Sequence, residues 1–264
     1  MKKKLFILVV FTALGILYAA AGYAAESVRA EGRYTSTLLA ELPPFNAVEV
    51  NGDIKVDIRQ LPGQKVTLSG RANLAQLANV RVEKDTLLID YVRPIHVRGK
   101  DTLHVSVFMP EITALTVRSR GEINVYGPVK TTDIALTATD DGDLDMDALH
   151  ADKVRLQVMK NAHLDVENIR TAHLEAVQFD KAEMELSGYA ENASLTNHGS
   201  EDLDASSLRI NQGSVAVNGS GDLEVFAVKT LKVVAKGRGN IAYHGAPLLT
   251  REGNLKKIKP AFED

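Results

Sequence analysis

The sequence predicts an all-β chain wound as a parallel β-helix, or β-solenoid, with coils of about 20 residues. Three observations carry this. An aliphatic residue recurs at Ile123, Leu144, Leu164, Met184, Leu203, Leu223 and Ile241, at intervals of 21, 20, 20, 19, 20 and 18. A small or polar turn and one polar residue precede it, as in Gly121-Glu122-Ile123 and Gly221-Asp222-Leu223. Two further columns are apolar in every repeat: Val125, Met146, Val166, Leu186, Ala205, Val225 and Tyr243 follow by two, and Leu115, Leu136, Leu156, Ala176, Leu195, Val215 and Val233 precede by eight. Side chains alternate along a strand, so residues two apart share a face, whereas a helical repeat would need apolar spacings of three and four. Units this short cannot bury an apolar face alone and must stack.

The elements follow in order. Residues 1–24 read as an export signal: Lys2-Lys3-Lys4, an apolar stretch from Leu5 to Ala21, then Gly22-Tyr23-Ala24 before a cut at Ala25. The apolar run approaches the length of a membrane span, so an uncleaved anchor is the alternative. Residues 25–43 are a lead-in. The solenoid domain covers 44–250, and 251–264 form a C-terminal tail. Ala47 to Val50 and Ile54 to Ile58 alternate as strands around the tight turn Asn51-Gly52-Asp53. A strand runs from Lys65 to Ser69, and Ala72 to Val80 is the one helix-like stretch after the signal. Strands near Leu87-Ile89-Tyr91 and Leu103-Val105-Val107 lead into the repeats, with Pro110 as punctuation.

Composition bounds the chemistry. Hydrophobic residues make up 45% and aromatics 5%, with no Trp, so the core must be aliphatic. The absence of Cys excludes disulfides, thiolate metal sites and a lipid anchor on an N-terminal Cys. Losing the three signal lysines moves the formal charge from −3 to −6, which disfavours nucleic acid as a partner.

The column six places before the register residue contains Gln178 and Asn197 in adjacent coils, pointing inward by parity. Buried amides need hydrogen-bond partners, and stacked amides can supply them to each other. The positions flanking the register residue point outward. Among them Glu122, Asp143, Asp145, Asp165, Glu183, Glu185, Asp202, Asp204, Asp222 and Glu224 form two acidic ladders on one face. Carboxylates about 4.8 Å apart repel, so the face serves solubility, cation binding or a cationic partner. Asp143 and Asp145 are the candidate metal ligands, with Ca²⁺ the candidate ion. An EF-hand does not fit: Ala148 stands where the loop needs Gly, and Val154 where it needs Glu.

Phe45-x-x-Val48-x-Val50-x-Gly52-x-Ile54-x-Val56, Asn218-Gly219-Ser220-Gly221-Asp222-Leu223 and Gly237-x-Gly239-Asn240-Ile241-x-Tyr243-x-Gly245-x-Pro247 together resemble the bacterial putative auto-transporter adhesin head, or GIN, domain family (domain of unknown function 2807). The likeness runs through most of residues 44 to 250. It implies a right-handed β-solenoid in exported or envelope proteins, with no established activity and no catalytic residue to carry over. The chain departs from the pattern at Asn161-Ala162 and Lys181-Ala182, which replace glycine turns, so those turns need not adopt positive φ.

No nucleophile elbow, phosphate loop or His-Glu-x-x-His helix occurs, and none of the seven histidines pairs with another at metal-ligand spacing. Some β-helix enzymes act on polysaccharides with paired carboxylates, but here the acids form a regular ladder rather than one pair. The expectation is a non-catalytic, cofactor-free module of the periplasm, outer membrane or cell exterior that presents its surface to a glycan, protein or other envelope component. Aromatic platforms for sugar are few, among them Tyr126 and Tyr189. The open coil ends are the expected sites of self-association, and after signal cleavage any membrane association is peripheral.

Overall fold

A computed structural model describes residues 25–261; the export-signal reading falls outside them. Two short strands come first, β1 (Glu26–Arg29) and β2 (Tyr34–Leu38). Next come β3 (Ala47–Asn51), β4 (Ile54–Gln60), β5 (Lys65–Arg71), helix α1 (Ala72–Leu77), β6 (Ala78–Glu83), β7 (Thr86–Tyr91), β8 (Ile95–Arg98), β9 (Leu103–Met109) and β10 (Ala114–Arg118). Six long, bent strands carry the repeats: β11 (Glu122–Ala138), β12 (Asp143–Val158), β13 (His163–Gln178), β14 (Glu183–Asn197), β15 (Leu203–Val217) and β16 (Leu223–Ala235). The described residues end with β17 (Ile241–His244), β18 (Leu248–Gly253), a single 3₁₀ turn and β19 (Ile258–Pro260).

The repeats stack in parallel as a β-solenoid, and each predicted column is one ladder. Val56, Ile123, Leu144, Leu164, Met184, Leu203, Leu223, Ile241 and Ile258 are successive rungs of the first. All are at most 5% exposed. Leu87, Val48, Leu115, Leu136, Leu156, Ala176, Leu195, Val215 and Val233 form the second. A third runs through Val129, Leu149, Ile169, Gly188 and Leu208, its four side chains fully buried. The core between them is continuous and aliphatic.

Stacking does not follow chain order at the N-terminal end. The coil built from β3 and β4 lies between β7 and β9 on one side and β10 and β11 on the other. Beyond β7 and β9 the direction reverses: β6 pairs antiparallel with β7, β5 with β9, and β2 with β5. Leu74 of α1 is fully buried beside them. The helix is one short turn and a half, because residues from Ala78 onward pair with β7 instead of continuing it.

Two segments assigned outside the solenoid are built into it. The lead-in supplies β1, which pairs with β8, and β2 of the cap. The tail boundary at 250 cuts through β18, which pairs with β16, and β19 pairs with β17 and buries Ile258.

The corners also differ from expectation. The turns lacking glycine do enter the left-handed region, at Lys160 (φ 65°) and Asp180 (φ 57°), as does Asp140 (φ 65°) in the turn before Gly142. The glycine corner has another cause: a Cβ on Gly219 would lie 1.9 Å from the Gly199 carbonyl oxygen of the coil below. Close approach of backbones, rather than positive φ, requires glycine there.

Candidate functional site

The outward face of the first ladder is acidic, as the parity of its strands requires. One row runs Lys55, Glu122, Asp143, His163, Glu183, and the other Asp57, Asn124, Asp145, Asp165, Glu185, Asp204, Glu224. The ten predicted face residues are not equivalent. Asp202 and Asp222 turn to the corner, where each carboxylate accepts a backbone N–H of the next coil, from Asp222 and Asn240 respectively, at 2.7 Å. Glu224 meets His244 at 2.6 Å, Asp204 accepts the Ser206 N–H at 2.8 Å, and Glu183 lies 3.8 Å from His163.

At the near edge Glu122 binds Lys55 at 2.5 Å and Asn124 at 2.9 Å. Burial alone would raise the Glu122 carboxyl, but those two hydrogen bonds and the Lys55 charge hold it below the ordinary range. The centre of the face behaves oppositely. Burial pushes the carboxyls of Asp143, Asp145 and Asp165 upward, and neighbouring acids add to it: Glu122 at Asp143, Asp143 at Asp145, and Glu167 and Glu185 at Asp165. At the centre of the face, burial and neighbouring acids thus work against the charges of Asp143, Asp145 and Asp165, with His163 partly offsetting them.

The dense acidic run from Asp140 to Asp147 is dispersed by the fold. Asp140 pairs with Lys160 and Asp141 accepts from Asn161 at one corner, while Asp147 accepts the Gly127 N–H at 2.8 Å at another. Of the run, Asp143 and Asp145 remain on the face. Here the stack brings in His163, and ligand atoms of the three lie within 4.8 Å of one another. Asp143 Oδ1 is buried without a hydrogen-bond partner. Asp143 and His163 stand one repeat apart, so the 20-residue period already puts both on this face; from the sequence alone His163 reads as a surface residue rather than a ligand. An imidazole in the set suits zinc or another transition metal better than Ca²⁺, which prefers all-oxygen ligands.

The inward amides are fully buried, as expected, but do not bond each other. Gln178 Nε2 donates to the carbonyls of Glu201 and Asp202, and Asn197 Nδ2 to those of Glu201 and Asp222. Asn197 Oδ1 accepts the Gly199 N–H at 2.7 Å. They are corner braces.

A second outward feature escaped the sequence. On the face over the third ladder, Lys130, His150, Arg170, Tyr189, Arg209 and Phe226 are successive neighbours in register, with His244 beyond Phe226. The Arg209 guanidinium lies 4.5 Å from the centre of the Phe226 ring, and Phe226 stacks on His244 at 6.3 Å with 4° between planes.

A stacked-coil core with chemically distinct outer faces defines a β-solenoid. The chain belongs to the putative auto-transporter adhesin head GIN domain family, whose model matches residues 44–247. The family is described as one of putative adhesins, not of enzymes, and it implies an extracellular or envelope location. Solved structures share the fold. A putative adhesin from Parabacteroides distasonis ATCC 8503 is 21% identical, with a TM-score of 0.82 over 89% of this chain and 100% of that one. A putative adhesin from Parabacteroides merdae ATCC 43184 is 18% identical, with a TM-score of 0.79 over 90% and 100%. A putative lipid binding protein from Parabacteroides distasonis ATCC 8503 is 16% identical, with a TM-score of 0.81 over 90% and 100%. No curated protein matches the chain.

Proposed function

We propose that the chain is an exported, non-catalytic binding or scaffolding module of the bacterial envelope, acting through side chains held at fixed spacing on its faces. The observation that supports this is the ladder itself. A continuous aliphatic core sets successive outward residues one coil apart on rigid strands, which positions side chains better than loops would. The adhesin family and the signal-like N-terminus support the location. The test is co-sedimentation of the mature protein, from residue 25, with an isolated bacterial envelope fraction. Single neutralisations along a face should leave binding nearly intact, and combined ones should remove it. One substitution that abolished binding without unfolding the protein would point instead to a localised site.

A second reading, cation-dependent binding, is favoured by the meeting of Asp143, Asp145 and His163. Thermal unfolding with zinc, calcium, magnesium or chelator tests it. A saturable rise of several degrees that Asp143→Asn removes supports an ion site; no shift with any of the three leaves the acids as a solubility face.

A further inference from the structure

We propose that the face carrying Lys130, Arg170 and Arg209 binds an acidic polysaccharide laid along the solenoid axis, with charged sugars over the cations and neutral ones over the rings between. This rests on the reading of the solenoid as a binding module and names its ligand class.

The row is built by register. Lys130 neighbours His150, His150 neighbours Arg170, Arg170 neighbours Tyr189, and Tyr189 neighbours Arg209. Cations therefore alternate with rings, one coil at a time. At about 4.8 Å per coil, successive cations stand about 10 Å apart and the row to Phe226 is about 24 Å long. Among the described residues none of the three cations joins an ion pair, so their charge is free to meet a ligand. Arg209 is steadied by the Phe226 ring, and Tyr189, 42% exposed, is oriented by a 2.5 Å hydrogen bond to Glu191. Glu191 stands two places after Tyr189, as Asp152 stands two places after His150. Glu191 also accepts from Asn211 at 2.5 Å, so both of its oxygens are held by neutral donors.

Spacing chooses the ligand. A nucleic-acid strand carries a phosphate about every 3.4 Å in a duplex, about three for each cation here. The surplus would face the acidic sheet across the corner of a chain with formal charge −3. A polysaccharide with one carboxylate on every second sugar matches the cations without surplus. Arginine suits the carboxylate by its paired donors, and a ring face suits the apolar face of a sugar.

The probes are hyaluronan oligosaccharides, which carry a carboxylate on alternate sugars, and polygalacturonate, which carries one on each. Dextran and oligo(dT) are the contrasts. Calorimetry on the mature protein should show binding to hyaluronan at least as tight as to polygalacturonate, and none to dextran. The double variant Arg170→Ala/Arg209→Ala should weaken it roughly tenfold while melting normally, since both side chains are exposed. Asp165→Asn on the acidic face should leave it unchanged. The proposal fails if neither acidic polysaccharide binds, if the double variant binds as well as the parent, or if oligo(dT) binds more tightly than both. Envelope co-sedimentation separates the two ideas: binding that survives the double variant sinks the polysaccharide site and keeps the module, and no binding at all sinks both.

Discussion

Single residues show how the core and surface divide their work. Asn197 satisfies three backbone groups from inside the core, the Gly199 N–H and the carbonyls of Glu201 and Asp222. Gln178 serves two carbonyls, sharing that of Glu201 with Asn197, and its own Oε1 is buried without a partner. Its replacement removes an unpaired atom, whereas loss of Asn197 strands the Gly199 N–H. Asn197→Leu should therefore cost about 3 kcal/mol and Gln178→Leu about 1 kcal/mol. For a domain of this size those figures mean melting points lower by roughly 8 °C and 3 °C. Calorimetric melts that reversed the order would overturn the assignment of the braces. On the surface the sign is opposite. Asp143, Asp145 and Asp165 titrate above the ordinary range when folded, so just above that range the native state holds more protons than the unfolded one. Their charge opposes folding at neutral pH, and the opposition fades as pH falls through the folded values. Glu122, whose burial is outweighed by Asn124 and Lys55, runs the other way, giving stability at neutral pH that is lost on acidification. Asp145→Asn/Asp165→Asn should thus melt about 2 °C higher than the parent at pH 7, with the gap closing towards pH 4. A gap that widened on acidification would show the charges to be stabilising.

At the scale of the coil, legibility followed constancy of spacing. The register residue and the columns two after and eight before it lie on straight strand segments, so strand parity alone placed Leu156 inside and Gln157 outside. Leu156 is 2% exposed and Gln157 lies on the surface. Leu156→Asp should abolish cooperative folding, whereas Gln157→Lys should change the melting point by less than about 2 °C. Circular dichroism of the pair decides whether the inward register holds. The third face was hidden because bulges intervene: register shifts fall between Val125 and Pro128, Val166 and Ile169, Glu185 and Gly188, and Ala205 and Arg209. Measured from the register residue, Lys130, Arg170, Tyr189 and Phe226 stand seven, six, five and three places on, so no fixed period reveals them as neighbours. The acidic face was legible as a pattern, but which acids are already engaged was not. The partners of Asp202, Asp222 and Glu224 come from the next coil, 18 or 20 positions away.

At the scale of the whole molecule, the two ends are finished by different means. At the N-terminal end antiparallel strands and α1 close the stack, which no periodic reading could foresee because the β3–β4 coil is inserted out of chain order. At the other end the second ladder finishes on Arg251, the neighbour of Val233, whose guanidinium donates to the Tyr243 hydroxyl at 3.2 Å. The first ladder finishes on β19, where Pro260 offers no N–H to a further strand. A charge in an inward position and a proline on the last edge are both devices against edge-to-edge growth. Both should therefore weaken self-association through this end, the expectation from an open coil. Ending the chain at residue 247 deletes both and bares β17 and the second half of β16, which β19 and β18 otherwise cover. The truncated protein should keep its β-sheet spectrum, since the remaining coils retain their own ladders. It should melt several degrees lower, and it should dimerise or form larger species as concentration rises, while the full mature chain stays smaller at the same concentration. Sedimentation velocity on the two chains reads this directly. Equal association by both would mean that neither Arg251 nor Pro260 guards the end.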